Sequence, residues 1–66
     1  MPINSSAIAA LLTIPEVAEL LRISVPSVRR LQQLRLIPFF KVGNGIRFIR
    51  NDIMTYLEKN RVEAIG

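Results

Sequence analysis

Apolar positions in this chain are grouped behind two nearly identical polar starts. The first is Leu12-Thr13-Ile14-Pro15-Glu16-Val17. Thr13 is placed to accept from the backbone N–H of Glu16, and the Glu16 side chain can reach back to Thr13, the reciprocal arrangement of a capping box. Pro15 falls in the first turn, where its missing N–H costs no helical bond. Leu12 and Val17 are spaced as a hydrophobic staple. A helix is expected over roughly 14–21, with Val17, Ala18, Leu20 and Leu21 on its buried face.

Eleven residues later the pattern recurs as Ile23-Ser24-Val25-Pro26-Ser27-Val28. Ser24 is the expected cap, Pro26 again lies in the first turn, and Ile23 and Val28 form the second staple. Two copies are too few for a solenoid; they mark two helices that start in succession, joined by a turn of a few residues near Arg22 and Ile23. That is the helix-turn-helix arrangement. The second helix is expected from 25 to 34 or 35, burying Val28 and Leu31. Val25, Pro26, Ser27, Arg29, Arg30 and Gln33 fall on or near its other face.

Pro38 stops helical structure. Phe39-Phe40-Lys41-Val42 and Ile46-Arg47-Phe48-Ile49 flank Gly43-Asn44-Gly45, which predicts a β-hairpin. Without a bulge, alternation across that loop sets Phe40, Val42, Ile46 and Phe48 on one side and Lys41 and Arg47 on the other. A last helix is expected over about 51–60, with Ile53, Tyr56 and Leu57 as its apolar stripe and Asp52 complementing the helix dipole. Residues 7–12 are expected as an apolar lead-in that packs on the core, with Ser6 able to cap a short helix. The domain boundaries that follow are a lead-in at 1–11, one folded domain at 12–60 and a frayed tail at 61–66. The fold class is α+β, mostly α: helix, helix, β-hairpin, helix around one small core, a small winged helix-turn-helix.

Charge sharpens this picture. Arg22, Arg29, Arg30, Arg35, Lys41, Arg47 and Arg50 give the 22–50 window +7 with no acidic residue, while the remainder carries −3, for a net +4. Such a segment suits a polyanion. A face serving solubility alone would mix signs. Size allows one domain, and no stretch reaches membrane-span length. No basic segment precedes 7–12, so a signal peptide is not expected. The chain lacks cysteine and histidine, consistent with a reducing, cytoplasmic setting.

The same absences leave catalysis poorly supplied. There is no imidazole base and no thiolate, the five carboxylates are scattered, and the serines have no activating partner. Gly43-Asn44-Gly45 is followed by no Gly-Lys-Ser/Thr, so it is not a phosphate-binding loop. No ligand set for a metal stands out, and no catalytic residue, cofactor or small-molecule ligand is expected. Double-stranded DNA, by contrast, is well matched. From the second helix, Arg29, Arg30 and Gln33 can reach base edges in the major groove. Ser24, Ser27 and the helix N-terminus can donate to phosphate. Lys41, Asn44 and Arg47 on the hairpin can follow a minor groove. Phe39, Phe40 and Phe48 could instead stack on single-stranded bases, but a chain this small needs its aromatics in the core. Leu34, Leu36 and Ile37 are candidates either for core packing or for a protein–protein patch.

Taken in order, Leu12 to Leu21, Ile23-Ser24, Ser27-Val28-Arg29-Arg30-Leu31, Ile37-Pro38, Lys41-Val42-Gly43, Arg47-Phe48, Asp52-Ile53 and Tyr56-Leu57 resemble the excisionase-type branch of the MerR-like winged helix-turn-helix proteins. The resemblance implies a recombination directionality factor of bacterial, phage or mobile-element origin, acting at the nucleoid. Such a factor binds and bends attachment-site DNA, as several adjacent copies, and biases a tyrosine or serine integrase toward excision. It also implies a recognition helix carrying Val25, Pro26, Ser27, Arg29, Arg30 and Gln33, and a wing carrying Lys41, Asn44 and Arg47. Relatives include transcriptional regulators using the same surface, and a pure protein-interaction module is the third reading. Family members often have glycine where Arg22 and Arg35 stand. The helix ends are therefore expected to run slightly longer here, or Arg22 to add a phosphate contact. The long dimerising helix and effector domain of MerR-type regulators have no counterpart in the sequence, so ligand sensing is not expected.

Overall fold

The two matched helix starts are realised in closely similar geometry. In the computed structural model, which describes residues 11–64, α1 spans Ile14–Leu21 and α2 spans Val25–Gln33. Thr13 caps α1 through a full capping box: its Oγ1 accepts from the Glu16 N–H at 3.3 Å, and a Glu16 carboxylate oxygen accepts from the Thr13 N–H at 2.9 Å. Ser24 caps α2, accepting from the Ser27 N–H at 3.2 Å. Each cap satisfies a donor that the helix cannot.

Both helices end alike, α1 at Leu21 as expected and α2 at Gln33, short of the expected 34 or 35. They do not run longer. Arg22 and Arg35 each adopt the left-handed conformation, with φ of 57° and 56°. After α1, the Ile23 N–H reaches the Ala18 carbonyl at 3.0 Å and the Arg22 N–H reaches Glu19 at 3.2 Å. After α2, Leu36 reaches Leu31 and Arg35 reaches Gln32, both at 3.0 Å. This paired pattern is the Schellman motif, which normally places glycine at the left-handed residue. An L-residue there costs about 1–2 kcal/mol. A cation near a helix C-terminus returns about 0.3–1 kcal/mol, less than the cost.

Three strands follow: β1 at Leu11–Leu12, β2 at Phe40–Val42 and β3 at Gly45–Ile49. They form an antiparallel sheet in the order β1-β3-β2. β1 was not anticipated. Leu11 and Leu12, expected as lead-in with Leu12 stapled to Val17, pair with Ile49 and Phe48. Ser6 and the rest of the apolar lead-in lie outside the described residues. β3 runs straight into α3, Arg50–Lys59, whose N-cap Ile49 offers no side-chain bond. β3 is therefore the central strand, packed by both α1 and α3.

The hairpin register overturns the expected alternation. Phe40 faces Arg47, Lys41 faces Ile46 and Val42 faces Gly45. The loop contains two residues, Gly43 and Asn44, rather than three. Gly43 has φ 61° and Asn44 is not left-handed, the pattern of a type II′ turn. Shortening the loop by one residue flips one strand relative to the other. Phe40 and Val42 thus share the outer face with Arg47, and are 48% and 53% exposed. Lys41 shares a face with Ile46 and Phe48 instead, at the solvent-exposed end of the strand.

The core consists of Leu12, Ile14, Val17, Ala18, Val28, Ile37, Phe48 and Ile53. Full burial of one such large side chain is worth about 1.5–3 kcal/mol. Leu20, Leu21, Leu31, Phe39, Met54 and Tyr56 pack around this centre, half-buried. Two expected placements change, and the choice left open for Ile37 is decided for the core. Val25, assigned to the outer face of α2, is half-buried against the core. Leu57, assigned to the apolar stripe of α3, is 44% exposed, and Met54 packs inward on that helix. Ile37, a candidate for a protein–protein patch, is buried, while Leu34 and Leu36 remain exposed. Beyond α3, Arg61 lies 3.6 Å from Glu58 and 3.7 Å from Glu63, in a segment without regular structure.

Candidate nucleic-acid interface

α2 owes its outward chemistry to its inward packing. Val28 is buried and Leu31 half-buried, which turns the intervening positions toward solvent. Pro26, Arg29, Arg30 and Gln33 then form an exposed stripe at helical spacing, with Ser24 and Ser27 at its head. Val25, expected with this group, lies off the exposed stripe. Among the described residues, no carboxylate pairs with Arg29 or Arg30; the ion pairs there belong to Arg61. Their donors are therefore free to meet an external acceptor.

The serine pair adds a further donor. Ser24 Oγ and Ser27 Oγ are 2.8 Å apart, within hydrogen-bond distance. Ser24 Oγ also accepts the cap bond from the Ser27 N–H. Two hydroxyls that share one mutual bond leave one O–H proton free. Capping and donation to a phosphate are therefore compatible at this helix start.

The wing is built differently from expectation. Asn44 stands exposed at the tip beside Gly43, and Lys41 is exposed on β2. Arg47 is half-buried, its Nη1 donating to the Ile46 carbonyl at 2.9 Å. It folds over Gly45, where an added Cβ would lie 2.7 Å from Nη1. Lys41 and Arg47 occupy opposite faces of the hairpin, so the wing cations do not make one surface. Of the three phenylalanines, Phe48 is buried and Phe39 half-buried, but Phe40 is exposed across from Arg47. Sequence periodicity missed this apolar outer face; the two-residue Gly43-Asn44 turn was the signal for it.

Acidic groups lie elsewhere. Glu16 and Glu19 line an open cleft of about 280 Å³ with Leu12, Leu20 and Arg50. The carboxyl of Glu16 is held below the ordinary glutamate range, first by the Thr13 backbone N–H and then by the Thr13 hydroxyl. It is a helix cap rather than a proton carrier. Among the described residues, no cluster of three metal-binding side chains forms, and no helix is long and apolar enough to cross a membrane.

Two helices joined by a tight turn, backed by a three-stranded sheet whose hairpin projects, make a small α+β winged helix-turn-helix. A helix-turn-helix domain family model matches residues 11–61, and the chain belongs to that family. Its members are DNA-binding modules and are typically not catalytic. Neither a curated protein nor a solved structure matches the chain.

Proposed function

We propose that this protein binds duplex DNA sequence-specifically as an excisionase-like architectural factor. It bends attachment-site DNA and steers a tyrosine or serine integrase toward excision. The observation that carries DNA recognition is the acid-free outer stripe of α2, where Arg29, Arg30 and Gln33 are exposed and Arg29 and Arg30 are without ion-pair partners among the described residues. Arg29 and Arg30 suit guanine and Gln33 suits adenine. Ser24, Ser27 and Pro26 frame the helix start with Val25 packed beneath it, Arg22 takes a phosphate, and Lys41 and Asn44 serve the wing, while Arg47 is folded back onto the Ile46 carbonyl. The excisionase role is supported by the ordered resemblance from Leu12 to Leu57.

One module of this size covers roughly 600–1,000 Å² of protein surface on DNA, so useful affinity calls for adjacent copies on the same site. The expected setting is the bacterial cytoplasm, on nucleoid or mobile-element DNA. The test is footprinting and mobility shift on DNA flanking the gene, followed by an excision assay with the neighbouring integrase. About five phosphate contacts give a log–log salt slope near −4.5. Salt-insensitive binding contradicts DNA recognition. Reporter repression without any effect on excision replaces the recombination role with transcriptional regulation.

A further inference from the structure

Arg22 and Arg35 hold the left-handed positions that end α1 and α2. Glycine fits that conformation because it has no Cβ to crowd the following carbonyl oxygen. The favourable placement of a cation at a helix C-terminus does not offset the cost. The Schellman hydrogen bonds are backbone bonds that glycine would make as well, and among the described residues the arginine side chains add no polar contact inside the fold. Both residues are exposed. Among the described residues, neither side chain makes an ion pair or a hydrogen bond. Backbone strain held without an internal return is a feature of sites that act on something outside the fold.

We propose that Arg22 and Arg35 form a phosphate clamp that brackets α2 on duplex DNA. The proposal rests on α2 being the helix that enters the major groove. A helix of nine residues is about 13 Å long. Arg22 precedes it and Arg35 follows it in the chain, outside the stretch that carries Arg29, Arg30 and Gln33. Protein–DNA contacts from cations that flank a groove-bound helix go mainly to phosphate oxygens, and those are what Arg22 and Arg35 are placed to meet. A guanidinium on a long arm is suited to grip a phosphate bidentately. Arg22 stands at the same end as the Ser24 and Ser27 hydroxyls, and Arg35 stands beyond Gln33. Phosphate contacts at both ends set how deep and at what angle the helix enters, without reading sequence.

The test compares wild type with Arg22→Gly, Arg35→Gly and the double variant. Binding to a mixed-sequence B-form duplex is followed by fluorescence anisotropy across a salt series, alongside thermal melts. Each glycine is expected to raise the melting temperature and yet weaken binding several-fold. The double variant is expected to flatten the log–log salt slope by about 1.8, two phosphates at about 0.9 each. Arg22→Lys with Arg35→Lys, which keeps charge and strain, is expected to keep most of the slope. A double glycine variant with unchanged affinity and slope overturns the clamp, while loss of binding in Arg29→Ala with Arg30→Ala leaves the groove reading standing. If that second pair binds like wild type, or if wild type shows no salt-dependent binding, the groove reading fails and the clamp fails with it. Glycine variants that melt lower show the arginines to be structural caps and overturn the strain argument.

Discussion

The second helix and the β2–β3 hairpin both present a surface to solvent, and the two surfaces are specified in different ways. On α2 the outward residues are Pro26, Ser27, Arg29, Arg30 and Gln33, with Val28 and Leu31 packed inward. On the hairpin the outer face is Phe40 and Val42 beside Arg47. A helix spreads its positions around an axis, so an error of one residue in its boundary leaves every side chain where it was. A strand has only two sides. One residue more or less in the turn exchanges them. The charged surface is robust for that reason, and the wing depends on Gly43 and Asn44.

The comparison can be broken most severely at Phe48. It is fully buried and paired with Leu12, so Phe48→Ala is expected to cost about 3–5 kcal/mol. A domain this small has little stability to spare, and the circular-dichroism melt should lose its cooperative transition. On the helix side, Arg29→Ala with Arg30→Ala should leave stability within about 0.5 kcal/mol. DNA affinity should fall at least tenfold, since a single bidentate base contact is worth about 1–3 kcal/mol. Anisotropy titration and a melt on the same variant separate the two effects.

Smaller effects sharpen the same contrast. Thr13→Ala and Ser24→Ala each remove one cap and should cost about 1 kcal/mol by urea unfolding. Similar losses would show that the two helix starts are energetically as well as geometrically alike. Phe40→Thr should cost about 1 kcal/mol or less, because Phe40 is already 48% exposed. A loss as large as that of Phe48→Ala would mean that Phe40 lies in the core, in the register a three-residue loop would impose.

The smallest expected effect is with pH. The Glu16 carboxyl is held below its ordinary value by the Thr13 N–H. A depressed folded-state pKa contributes stability that is fully present above the unfolded value and is lost as pH falls through the folded one. Wild type should therefore weaken slightly on acidification below the ordinary glutamate range. Glu16→Gln should remove that part of the pH dependence in melts run from neutral to acidic pH.

Much of the site was legible because its signals are local. Capping depends on residues three apart, so Thr13 with Glu16 and Ser24 with Ser27 could be read directly from spacing. The exposure of Arg29 and Arg30 followed from the same helical period. Less legible were the features that need a distant partner. Leu11 and Leu12 are too short a run to announce a strand, and they become one only because β3 offers them an edge. Leu36 and Ile37 are adjacent and equally apolar, yet Leu36 sits in the Schellman turn at the surface while Ile37 is buried.

By itself, the sequence determined the two helix starts, the tight turn between them, the existence of a hairpin and the concentration of positive charge over α2 and the wing. Each rests on interactions within a few residues, where residue type and spacing suffice. Tertiary structure decided which face of the hairpin meets the core, which of the neighbouring leucines and isoleucines are buried, and that Arg22 and Arg35 take a backbone conformation suited to glycine. Those outcomes depend on β3 being held between β1, β2 and two helices at once. Only when all of these pack together is one arrangement preferred, and no short window of sequence contains that competition.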